Sequence, residues 1–132
     1  MRKPGISKRK LKRYLNHLKK KLAYGRYFED CGYHPCVVTE SHVYYSDLYA
    51  SDVVGRSLIN DQPTACSMFH CAPLPISEQE AKERVLCIKN EGWHAYLKRY
   101  IGYDDASLEE YEKLNKVWNF TRSIPNEYLK DG

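Results

Sequence analysis

Cys31-Gly-Tyr-His34-Pro-Cys36 and Cys66-Ser-Met-Phe-His70-Cys71 are two copies of one spacing, C-x4-C with a histidine inside each. Four thiols and two imidazoles in two short knuckles form the donor set of a soft or borderline ion, and zinc is the expected one. Cys31, Cys36, Cys66 and Cys71 would close a tetrahedral site with no position left for water, and His34 or His70 would substitute for a thiol that stood aside. The competing reading packs small thiols as apolar side chains. For Cys87, inside a helical stretch away from both knuckles, that packing reading is the preferred one.

The 29 residues between the knuckles have to bring them together. From Tyr27 to Pro75 helical periodicity fades, and β-branched and aromatic residues cluster between turn residues. Cys36-Val-Val-Thr-Glu40 and Ser41-His-Val-Tyr-Tyr45 read as one bent strand or a pair of strands. Val53 to Ile59 is a shorter candidate interrupted by Gly55, and Asn60-Asp-Gln-Pro63 has the composition of a turn. A small antiparallel sheet carrying the knuckles at its ends is the expected core of this stretch.

Before it, Leu11, Leu15, Leu18 and Leu22 recur at helical spacing, with Ser7 to cap the helix and Gly25 to end it. The leucines form a narrow seam, and Lys8, Arg9, Lys10, Lys12, Arg13, Lys19, Lys20 and Lys21 cover the rest of the circumference. Like charges one turn apart, such as Lys8 with Lys12, cost a few tenths of a kcal/mol in a free helix, a cost that an anionic partner removes. Residues 1–26 hold eleven Lys or Arg and no acid, whereas residues 27–132 hold ten against seventeen, so charges of +11 and −7 lie behind the net +4. This division predicts a basic helical arm, 1–26, on a compact α+β domain, 27–132, and a polyanion for the arm. A charge run of this kind also serves solubility alone.

After the sheet, the chain reads as three helices. Ser77-Glu-Gln-Glu80 is a capping box opening a helix that runs to Glu91 before Gly92. Trp93, Tyr96, Leu97, Tyr100 and Ile101 form the stripe of a second helix that stops at Gly102. Ser107-Leu-Glu-Glu110 is another capping box, for a helix whose Tyr111, Leu114 and Trp118 share a face and whose end is marked by Pro125. The fold class expected is therefore α+β: an N-terminal basic helix, a small antiparallel sheet with the cysteine site, and three C-terminal helices.

The motifs of several enzyme classes are absent. The chain contains no H-E-x-x-H, no phosphate-binding P-loop, no G-x-G-x-x-G, and neither half of the zinc deaminase signature. His70 and Cys71 are adjacent, which on an extended chain points them to opposite faces and makes a poor nucleophile–base pair. A non-catalytic protein is the expectation.

Nucleic acid, RNA or a ribonucleoprotein, is the expected partner, with Lys8, Arg9, Lys12, Arg13, Lys19, Lys20, Lys21 and Arg26 on phosphates and Tyr14 available to stack. The alternative is a small phage-like or mobile-element-like interaction protein whose basic helix fills a host nucleic-acid channel or the groove of an acidic protein. A membrane-surface helix is disfavoured by a seam without Trp or Phe. No apolar run approaches a membrane span, the charged N-terminus has no apolar h-region behind it, and an odd cysteine count suits a reducing compartment. The expected location is the cytoplasm.

Overall fold

A computed structural model describes residues 7–129. Arg2 and Lys3, two cations of the expected arm, lie outside the described residues, as do the last three residues. The described chain divides into two compact units between Ile76 and Ser77.

In the first unit, α1 spans Lys8–Lys21, and the Ser7 hydroxyl accepts the Lys10 N–H at 3.2 Å to cap it. Gly25, at φ 81, supplies the left-handed turn that redirects the chain into the sheet. Five antiparallel strands follow: β1 Tyr27–Glu29, β2 Pro35–His42, β3 Asp52–Ser57, β4 Pro63–Ser67 and β5 Ala72–Leu74. Their order is β4-β3-β2-β1-β5. The segment read as one bent strand or two is a single strand with a bulge, because the register of β2 against β3 slips between Val38 and Glu40. Pro63 and Pro73 fall on β4 and β5, the two edges, where a missing N–H is tolerated.

The two edges are joined by only four residues, 68–71, of which 68–70 form a turn closed by the His70 N–H on the Ser67 carbonyl at 2.9 Å. Five flat strands would set those edges ~19 Å apart, more than a turned segment of this length can reach. The sheet therefore rolls. Gly55 shows how: an added Cβ there would run into the Val37 carbonyl oxygen and lie 2.8 Å from Cε1 of Phe28, a β1 side chain reaching over from two strands away. A side chain on β3 at this point would hold the sheet open.

The rolled sheet and α1 share one core. Leu11, Leu15, Leu18 and Leu22 of the helical segment pack with Phe28, Cys36, Val38, Leu48, Val53 and Met68. At about 1.5–3 kcal/mol per fully buried side chain, the four leucines supply a large part of this unit's stability. The helix was expected as an arm appended to a body made of everything after residue 26. Its seam lies instead at the centre of the first unit, and the chain divides fifty residues further on.

In the second unit, α2 spans Glu78–Glu91, with Ser77 as its cap and Gly92 at its end, as the capping box predicts. The segment from Trp93 makes one α-turn, α3 Trp93–Tyr96, and then widens into a π-helical turn over Leu97–Ile101 before Gly102. The widening shifts the stripe, so Trp93, Tyr96 and Leu97 are buried while Tyr100 and Ile101 are only half-buried. The last long helix, α4, spans Asp105–Trp118. Asp104 caps it through its carboxylate on the Ser107 N–H at 2.8 Å, so Ser107 is not the cap, and Asn119 at φ 53 ends the helix well before Pro125. Its core joins Trp93, stacked on Tyr96 with centroids 5.2 Å apart, to Tyr111, whose hydroxyl accepts the indole N–H at 3.2 Å. Cys87 is buried in this unit, as the packing reading has it.

Candidate nucleic-acid interface and cysteine cluster

Because its leucine seam is buried, α1 can turn only one way. Lys8, Arg9, Lys10, Lys12, Arg13, Lys19, Lys20 and Lys21 are all exposed, with Tyr14 among them, and α1 contains no acidic residue. Tyr24 and Arg26 are exposed just beyond the helix, whereas Tyr27 is half-buried in β1. The docked helix thus presents eight cations to solvent while its leucine seam packs in the core.

The 43–51 loop between β2 and β3 reaches this helix. Tyr45 donates its hydroxyl hydrogen to Asn16 Oδ1 at 2.8 Å. Asn16 has Lys12 and Arg13 one turn before it and Lys19 and Lys20 one turn after it, the i±3 and i±4 neighbours on a helix surface. Tyr44, Tyr45 and Tyr49 of this loop and Phe69 of the β4–β5 turn are exposed. Tyr44 and Tyr45, expected on a strand, lie in this loop, and no sequence motif marks Asn16, Tyr49 or Phe69. The turn composition of Ser46-Asp47 was the available signal that the strand ends before them.

The two knuckles do approach one another. Cys31 lies in the β1–β2 turn, Cys36 on β2, Cys66 on β4 and Cys71 immediately before β5. Rolling the sheet brings β4 round to the β1–β5 edge. All five cysteines carry free thiols. The Cys66 pKa is lowered, first by hydrogen bonding from Cys71 and then by the Cys31 N–H and thiol, against the opposing effect of burial. The Cys71 thiol is pushed up, first by its bond to Cys66 and then by burial. Burial also pushes up Cys31 and Cys36, helped by the neighbouring Asp30 carboxylate and by Cys66. As they stand, no group of three or more His, Cys, Asp or Glu side chains among the described residues is disposed to hold a metal ion.

The two histidines part company. Asp30 organises the first knuckle, accepting the Gly32 and His34 N–H groups at 2.9 Å and meeting His34 Nδ1 at 2.9 Å. His34 is thereby held buried beside the cluster, with the carboxylate on Nδ1 that metal-ligating histidines commonly have. His70 is exposed and meets Phe69 edge-on, with centroids 5.0 Å apart, so it belongs with the aromatic residues and not with the thiols.

No protein-family model, curated protein or solved structure matches the chain. No helix among the described residues is long and apolar enough to cross a membrane.

Proposed function

We propose that the first unit binds nucleic acid, RNA or the RNA of a nucleoprotein, through the outward face of α1 and without catalysis. The observation that carries this reading is the docked helix. Its apolar seam is used up in the core, and its remaining circumference is cationic and exposed. A membrane-surface role needs that same seam to enter lipid, which the buried leucines exclude without unfolding the unit. Holding eight like charges on one helix is unfavourable in isolation, and a phosphate backbone is the partner that relieves it. In this reading the cysteine cluster is a brace: a structural zinc ion on Cys31, Cys36, Cys66 and Cys71, with His34 as the alternative ligand, ties the β4–β5 turn to the β1–β2 turn.

The test is fluorescence anisotropy with labelled RNA and DNA. Changing Lys12, Arg13, Lys19 and Lys20 together to Glu should abolish binding while thermal melting still shows a folded unit, since all four side chains are exposed. Unchanged affinity in that variant would overturn the reading.

Docking to a protein is favoured by a different observation, in the second unit. Leu114, Val117 and Trp118 share the last turns of α4 and are exposed at 49%, 74% and 68%, an apolar face of the kind that protein interfaces use. It is compatible with nucleic-acid binding by the first unit, because a small protein acting on a nucleoprotein can use both surfaces.

A further inference from the structure

We propose that Tyr49, Phe69 and His70 form a stacking platform for an unpaired nucleobase, so that the ligand of the α1 face is single-stranded. This rests on the nucleic-acid reading of α1 and specifies its partner. The three rings already make one cluster: Tyr49 and Phe69 have centroids 4.2 Å apart at 32°, Phe69 and His70 are perpendicular at 5.0 Å, and Tyr49 and His70 lie 6.5 Å apart. Yet Tyr49 is 41% and Phe69 38% exposed, so the cluster offers ring surface to solvent instead of sealing a core.

The cluster is built to keep its shape. Met68 is buried in the core of the unit, which anchors the turn while the next residue is displayed. The Ser67 hydroxyl donates to the Tyr49 carbonyl at 3.0 Å and accepts the Phe69 N–H at 3.2 Å, tying turn and loop together at the rings. The Asp47 carboxylate accepts the Tyr49 and Ala50 N–H groups at 3.0 and 3.2 Å, which fixes the loop from its other side. Pre-formed aromatic surface loses little freedom on binding, and every base has a face to stack on it.

Position links the platform to the cations. Tyr45 touches α1 at Asn16, amid Lys12, Arg13, Lys19 and Lys20. Tyr49 is four residues later, so the Cα atoms of the two tyrosines are at most ~14 Å apart even for an extended chain, and the loop turns between them. One short strand of nucleic acid can therefore set a base on the platform and its phosphates along α1. A duplex keeps its bases stacked internally and cannot use the rings.

The test compares wild type, Tyr49→Ala and Phe69→Ala against a labelled oligouridylate and an RNA duplex. Each alanine variant should bind the single strand about 5- to 150-fold more weakly, the range set by loss of one base–aromatic stack, with duplex affinity unchanged. Phe69→Trp should retain affinity, and the fluorescence it adds to that of Trp93 and Trp118 in the wild type should be quenched by the single strand, which keeps the proposal testable if an alanine variant fails to fold. Wild-type affinity in both alanine variants, or an unquenched tryptophan in a protein that binds, would overturn the platform and leave the α1 reading standing. Failure of the wild type to bind either nucleic acid would overturn both.

Discussion

His42 is a single side chain whose environment predicts a pH response. Its Nδ1 lies 2.7 Å from Asp52 on the neighbouring strand and its Nε2 lies 3.4 Å from Glu40, and the hydrogen bond to Asp52 raises its pKa above 6.5. A raised pKa means that the folded state binds the proton more tightly than the unfolded state does. The stabilisation is then complete below pH 6.5 and disappears as pH rises through the raised folded-state value. Chemical denaturation across pH 5.5–8.5 should show this loss in the wild type and not in His42→Gln. An NMR titration of the His42 ring should give a midpoint above 6.5; a midpoint at or below it would contradict the geometry. At the same scale, Ser7, Ser77, Gly92 and Gly102 were legible because a cap or a left-handed turn is decided by a residue and its immediate neighbours.

Among the elements, local legibility fails where two local signals compete or where long-range pairing decides. For α4, Ser107-Leu-Glu-Glu110 is a complete capping box in sequence, yet Asp104 reaches the Ser107 N–H first and starts the helix three residues earlier. Asp104→Ala should therefore destabilise the second unit by about 1 kcal/mol, whereas Ser107→Ala should change it by no more than a few tenths. Urea denaturation of the two variants checks this, and equal effects would contradict the cap assignment. The short strands β4 and β5, with five and three residues, carry no usable alternation. They exist because β3 and β1 offer ladders to pair with, information that lies far away in the chain. The leucine seam of α1 was legible in full, but the surface it docks on was not. A periodic stripe says that a face is buried without saying by what.

For the whole molecule, the rolled sheet is what converts sequence features into a possible site. It gathers Cys31, Cys66 and Cys71 from three separate places, places Tyr49 against Phe69, and gives α1 its apolar bed. The doubled C-x4-C pointed to an encounter between knuckles, and Cys31 and Cys71 do act on Cys66, while His70 sits with Tyr49 and Phe69. If they hold a structural ion, native mass spectrometry of freshly purified protein should show one zinc per chain. Removal by chelator should lower the melting temperature of the first unit, because the binding free energy is then folding free energy. A metal-free mass with an unchanged melt in chelator would leave the brace to packing alone.

The central claim is that α1 is a phosphate-binding rod held by its own buried seam. The measurement closest to it is the salt dependence of affinity for single-stranded RNA, for the wild type and for the variant with Lys12, Arg13, Lys19 and Lys20 changed to Ala. Each phosphate contact to a single strand contributes about −0.7 to the slope of log K against log salt, so losing four contacts should make the slope shallower by about 3. A slope that is the same in both proteins would mean that the α1 cations do not hold the phosphates, and the account would be wrong.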